Sequence, residues 1–373
     1  MKDGLKRIIS GLAIPELGRI SPYRPGKPID ELKRDLGIRN ITKMASNENP
    51  FGPSPLALKA LKSSLKKIYL YPDGNCFELK KKLSERSGLK PENFIIGNGS
   101  NEIIELVVRA FIRSGDEVII GDPSFVVYKT TTTLTGGKVI SVPLKGFLYD
   151  IDKMLKTITD RTKLIIIGNP NNPTGTIVAS RDIRRLLNSL PEKSICIFDE
   201  AYREFVTNRD YPGELEFMDR LKPVLIMRTF SKAYGLAGLR IGYGISDESL
   251  IDCLNRIRQP FNVNHLAQIA ASAALDDKKH LRKTIKNNNA GMKFIKDSAS
   301  KLGLNTIDSQ ANFILIELPC DGEIAFKELL KRGIIVRSMG EYSLKNYIRL
   351  TIGLPAENRR FVKELKDILK RLN

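Results

Sequence analysis

The sequence predicts an α/β fold: a large domain with a mostly parallel central sheet between helices, followed by a smaller α+β C-terminal domain. Two observations carry this. Short β-rich runs recur with helical stretches between many of them, and after about residue 260 the pattern changes to long helical segments and then a few more short runs. The length of 373 residues, with 42% hydrophobic and 28% charged, suffices for a sizeable core and more than one domain.

The first set of runs is Phe94 to Ile96, Glu117 to Ile120, Lys138 to Val142, Lys163 to Ile167, Ser194 to Phe198, Val224 to Met227 and Arg240 to Tyr243. Several are apolar without alternation, the pattern of strands covered on both faces. Polar or glycine-bearing segments follow them: Gly97 to Glu102 (GNGSNE), Gly121 to Phe125 (GDPSF), Gly168 to Gly175 (GNPNNPTG), Asp199 to Phe205 (DEAYREF) and Arg228 to Gly235 (RTFSKAYG). In such folds the chemistry gathers at the C-terminal ends of the strands. Further strands are expected at Asn312 to Ile316, Gly333 to Arg337 and Tyr347 to Thr351. A final helix places Phe361, Val362, Leu365, Ile368, Leu369 and Leu372 on one face, with lysines and arginines opposite. The expected division is an N-terminal arm at 1–45, a large domain at 46–260 and a small C-terminal domain at 261–373.

Composition narrows the function classes. The 61 Lys+Arg against 42 Asp+Glu give a net charge of +19, which favours anionic ligands or nucleic acid by long-range attraction. The lysines are dispersed, with Lys80-Lys81-Lys82 the one basic run of three, so a solvated basic surface is expected rather than a specific nucleic-acid site. Cys76, Cys196, Cys253 and Cys320 lie far apart and there are two histidines, which suggests neither a disulfide framework nor a metal site and fits a reducing cytoplasm. No run approaches the roughly 18 apolar residues of a membrane span. Pro15 and Glu16 interrupt the apolar stretch near the N-terminus, so export is not expected.

Three segments carry chemistry. GNGSNE follows a strand and opens a helical pattern over Ile103 to Ile112, where free N–H groups would hold a phosphate or simply form a tight turn. Glu102 stands where a dinucleotide fingerprint needs its third glycine, and the Walker G-K-[S/T] is absent. Asp199 ends an apolar strand, where a carboxylate needs a cation or hydrogen-bond donors; a pyridinium nitrogen, a cap or a salt bridge would each serve. Lys232 follows the next strand, beside Ser231 and eight positions before Arg240. A desolvated lysine near that arginine would have a depressed pKa and could form an imine, with Ser231 and Arg240 holding a phosphate.

The ordered set GNGSNE, NPNNPTG, DEAY and SKAYGLAGLR resembles the fold-type-I pyridoxal-phosphate (PLP) aminotransferases. Ser21 to Lys27 (SPYRPGK) and Tyr71 to Gly74 (YPDG) make it similar to the histidinol-phosphate branch, from about residue 20 to the C-terminus. The resemblance implies PLP as cofactor, bound as an aldimine on Lys232, which also shuttles the substrate proton. It implies that Asp199 pairs with the pyridine nitrogen, that Asn172 and Tyr202 contact the phenolic oxygen and that Phe125 stacks on the ring. Ser100, Asn101, Ser231 and Arg240, with Thr229, would bind the cofactor phosphate, joined by Tyr71 from the other subunit of a cytoplasmic homodimer. Asn101 stands where the related motif has aspartate, and Phe125 where many relatives have tyrosine; backbone donors and the π-face survive both changes.

For the substrate, the resemblance marks Arg349 as the carboxylate-binding arginine and Arg337 as a second basic position, with Tyr23 and Asn172 beside them. Two arginines and Tyr23 suit a phosphate dianion. The implied reaction exchanges histidinol phosphate and 2-oxoglutarate for imidazole acetol phosphate and glutamate, in two halves through one lysine. An aromatic amino-acid aminotransferase of the same family is the alternative.

Overall fold

The computed structural model describes residues 9–22, 34, 37, 38, 40–213, 216, 217 and 222–372. Tyr23 and the rest of the 23–27 segment lie outside the described residues, as does the side chain of Leu372. The strands, in chain order, are β1 (Thr42–Lys43), β2 (Phe94–Gly97), β3 (Glu117–Asp122), β4 (Lys138–Pro143), β5 (Thr162–Gly168), β6 (Ile195–Asp199) and β7 (Val224–Thr229). They continue with β8 (Gly242–Ile245), β9 (Phe313–Glu317), β10 (Ile334–Ile335), β11 (Arg337–Ser338) and β12 (Tyr347–Thr351).

The large sheet has seven strands in the order β2-β8-β7-β6-β5-β3-β4. Its pairings are parallel from β4 through β3, β5 and β6 to β7, while β8 is antiparallel to both of its neighbours. The reversal follows from the connection: Phe230 to Ile241 contains only a 3-10 turn at Ala237–Leu239 and no crossover helix, so the chain folds straight back. The expected strand at Arg240 to Tyr243 accordingly lies two residues later, with Arg240 outside it at φ 56°.

The continuous apolar runs are explained by period-two packing into two cores. Ile165, Ile167, Cys196, Phe198, Val224 and Ile226 face one side, and Leu164, Ile166, Ile195, Ile197, Leu225 and Met227 the other. Both faces are dry, so β5, β6 and β7 expose polar groups only at their ends. Because the three are parallel, the segments bearing Asn172, Asp199 and Lys232 emerge along one edge.

A smaller sheet runs β11-β12-β9, and β1 pairs parallel with β10. The expected single strand Gly333 to Arg337 is therefore two: Ile334–Ile335 joins β1, and after Val336 the chain turns to pair Arg337–Ser338 with β12. Beneath this sheet lies a core of Ile314, Ile316, Ile348 and Leu350 with Phe361, Leu365, Ile368 and Leu369 of the helix Pro355–Leu372. Met44, just after β1, is buried in the same core, whereas Ala267, Ala270, Ala271 and Ala274 of the helix His265–Asp276 pack into the larger one. Among the described residues no helix is long and apolar enough to cross a membrane.

Candidate active site

The parallel strand ends and the small sheet enclose one cavity of about 250 Å³. Asp199 closes β6 and is 6% exposed. Its Oδ2 accepts the Tyr128 hydroxyl at 2.7 Å and its Oδ1 the Ala201 N–H at 3.1 Å. Burial raises the carboxyl pKa, and these two hydrogen bonds oppose the rise. One residue on, Glu200 receives the Arg228 guanidinium at 2.9 Å, and its N–H donates to Met227 at 2.8 Å, so the ends of β6 and β7 are tied together.

Lys232 sits just beyond β7. Its Nζ donates to the Ser46 carbonyl at 3.2 Å and lies 5.8 Å from the Tyr202 ring centroid. Burial, seconded by the nearby Arg349 cation, lowers the amine to a pKa of about 8. Tyr202 is pushed up to about 12 by burial; its hydroxyl accepts Asn47 Nδ2 at 2.9 Å. These arrangements bring an amine that deprotonates more readily than usual, a buried carboxylate and a protonated phenol to one cavity.

The third wall is the helix Ser100–Phe111, whose first turn has no side-chain cap and so presents free N–H groups beside Ser100 and Asn101. Arg240 lies over this turn, with Nη1 3.5 Å from Ser231 Oγ. Gly99, at φ +75°, makes the approach possible, since a Cβ there would meet Arg240 Nη2 at 2.6 Å. Thr229 Oγ1 accepts the Ser231 N–H at 3.1 Å, holding the turn that carries Ser231 and Lys232.

The fourth wall comes from the small sheet. Arg337 and Arg349 are direct cross-strand partners in β11 and β12, and both line the cavity. Arg349 donates to Asn172 Oδ1 at 2.5 Å and to the Ala45 carbonyl at 2.9 Å, and stands 5.1 Å from the Phe313 ring. Arg337 donates to Glu341 Oε2 at 2.7 Å.

Of the sequence-predicted residues, Ser100, Asn101, Phe125, Asn172, Asp199 and Tyr202 line this cavity, as do Thr229, Ser231, Lys232, Arg240, Arg337 and Arg349. Tyr71 does not: its side chain is 82% exposed, stacked on Phe261 at 4.8 Å between centroids. Tyr128, Asn47 and Tyr342 also belong to the site or its support and escaped the sequence reading. No local motif marks them.

Residues 39–365 match the profile of the aminotransferases of class I and II. The chain belongs to that family. This aminotransferase is 46% identical over 350 residues to the histidinol-phosphate aminotransferase of Caldicellulosiruptor saccharolyticus, across 94% of this chain and 98% of that one. To the histidinol-phosphate aminotransferase of Moorella thermoacetica it is 44% identical over 351 residues, covering 94% and 91% respectively. Among solved structures, the histidinol-phosphate aminotransferase of Sinorhizobium meliloti in complex with pyridoxal-5'-phosphate matches with a TM-score of 0.89 at 27% identity, across 97% of this aminotransferase and 98% of that chain.

Proposed function

We propose that this aminotransferase uses PLP to exchange histidinol phosphate and 2-oxoglutarate for imidazole acetol phosphate and glutamate, a step of histidine biosynthesis. One observation carries the substrate reading. Arg337 and Arg349 stand opposite each other on neighbouring strands at the cavity that also contains Lys232 and Asp199. Two guanidinium forks on one side of the cavity suit a phosphate dianion, for which Arg337 would share or exchange its Glu341 partner.

The donor set fits PLP. A buried carboxylate aimed into the cavity suits a protonated ring nitrogen, and the bare helix turn under Arg240, with Gly99 leaving room, suits a phosphate. PLP, when bound, supplies an electron sink for the bond broken at the substrate Cα. Lys232 would attach the cofactor aldehyde and then take and return the Cα proton, for which an amine near pKa 8 is well matched. Asp199 would hold the ring nitrogen positive, Phe125 would cover the ring, and Asn172 and Tyr202 would flank its phenolic oxygen. Ser100, Asn101, Thr229, Ser231 and Arg240 would fix the cofactor phosphate. Arg349, Arg337, Asn172 and Tyr23 would hold the substrate.

The exposed apolar side chains Leu65, Ile68, Tyr69, Leu70 and Tyr71 form a strip suited to a second copy of the chain, and Tyr71 would then reach the neighbour's cofactor phosphate. We infer a homodimer on this ground and a cytoplasmic setting from the biosynthetic role, and divide each chain into an arm at 1–45, a large domain at 46–260 and a small domain at 261–373, with Met44 and the helix His265–Asp276 packing across those bounds.

The test is to mix the PLP-bound protein separately with histidinol phosphate, phenylalanine and glutamate, following the loss of the bound-PLP absorbance. Rapid conversion by histidinol phosphate with strong preference over phenylalanine is expected. Faster conversion by phenylalanine overturns the substrate, and absence of any PLP absorbance overturns the whole reading.

A further inference from the structure

Tyr128 is the third residue of the helix Val126–Leu134, in a segment with no recognisable motif. It is 1% exposed, and its hydroxyl ends 2.7 Å from Asp199 Oδ2. The ring packs edge-on against Phe125, at 5.7 Å between centroids, so one helix start carries both side chains.

We propose that Tyr128 is a positioning residue that fixes the plane of the Asp199 carboxylate, and through it the seat of a cationic ring nitrogen. The Ala201 N–H takes the other oxygen, Oδ1, so the two donors hold the carboxylate from both ends. A carboxylate held by donors on both oxygens cannot rotate to satisfy itself elsewhere, and its remaining lone pairs stay directed at the cavity it lines. The phenol also supplies a charge-assisted hydrogen bond in a dry setting, which favours the ionised form of Asp199 that burial disfavours. Tyr128 thus does for Asp199 what the sequence motif alone leaves undone. This role rests on the PLP reading above.

The test is a double-mutant cycle of Tyr128→Phe and Asp199→Asn, read as the dissociation constant of PLP from the ligand-free protein by fluorescence, with the melting temperature measured alongside. Phe keeps the ring and its packing and removes one oxygen. Tyr128→Phe is expected to weaken PLP about tenfold in the wild-type background, the value of one hydrogen bond to a charged group, and to have little effect once Asp199 is Asn. Equal weakening in both backgrounds would mean that Tyr128 acts on packing alone and overturns the proposal. An unchanged dissociation constant in the single variant overturns it too. Failure of the wild-type protein to bind PLP, or of Asp199→Asn to weaken it, overturns the underlying reading instead. Should Tyr128→Phe not fold, 3-fluorotyrosine at position 128, a stronger donor, is expected to tighten PLP only where Asp199 is present; tightening in neither background has the same overturning force.

Discussion

The two regions that meet at the cavity are built on opposite plans. Asp199 and Lys232 leave adjacent parallel strands that are buried on both faces and tied at their ends by the Arg228–Glu200 pair. Arg337 and Arg349 stand on a three-stranded antiparallel sheet, where β11 is only two residues long. Within that second region, Arg349 is buried and held by the neutral acceptors Asn172 and Ala45, while Arg337 is bound to the carboxylate of Glu341 on a half-exposed turn. The contrast teaches where each kind of demand is met. Proton transfer needs atoms fixed to a fraction of an ångström, and in the proposed reaction it would fall on the deep sheet. Anion recognition would fall on the lighter scaffold, where long arginine side chains supply the reach and their planar forks the geometry.

The comparison breaks first at Lys232. Lys232→Ala is expected to cut single-turnover transamination by at least about 10^4-fold, the upper range for a lost general base that is also the nucleophile, while circular dichroism stays unchanged. Near-normal turnover in that variant would remove the deep strands from the chemistry altogether.

The arginines sharpen the second half. Arg349→Gln is expected to lower kcat/KM by about 10^2-fold with every substrate, because a buried charge-assisted partner is lost for all of them. Arg337→Gln should cost about tenfold and only with the phosphorylated substrate, leaving phenylalanine and glutamate near their wild-type values. Equal losses across all substrates for both variants would merge the arginines into one undivided site.

A pH series addresses the deep region without mutation. A Lys232 amine lowered to about 8 by burial gains its neutral, reactive form as pH rises through that value. The rate at which the ligand-free protein captures PLP, trapped with borohydride and located by mass spectrometry at Lys232, is therefore expected to climb up to about pH 8 and then level. A rate still climbing near pH 10 would show that burial does not depress the amine.

The smallest effect is expected at the helix turn. Gly99→Ala forces a Cβ into a φ of +75° and against Arg240, and should lower stability by about 1–2 kcal/mol in a thermal melt. A neutral melt would mean that Arg240 can retreat at no cost, which would loosen its proposed hold on a phosphate.

The sequence by itself determined the α/β class and the seven strands of the large sheet, which are written in local pattern, and pointed to twelve residues of the cavity chiefly through motifs that resemble the family's. Strands covered on both faces must be apolar throughout, and the polar segments that end them are where a parallel sheet gathers its chemistry. Tertiary structure alone decided what no local pattern encodes. Tyr128 reaches Asp199 across 71 positions and Asn47 reaches Tyr202 across 155, through single hydrogen bonds that leave no trace in spacing or periodicity. It likewise decided that Gly333 to Arg337 divides between two sheets and that Arg337 comes to stand opposite Arg349, since strand register is set by the partner strand and the core beneath it, not by the strand's own residues.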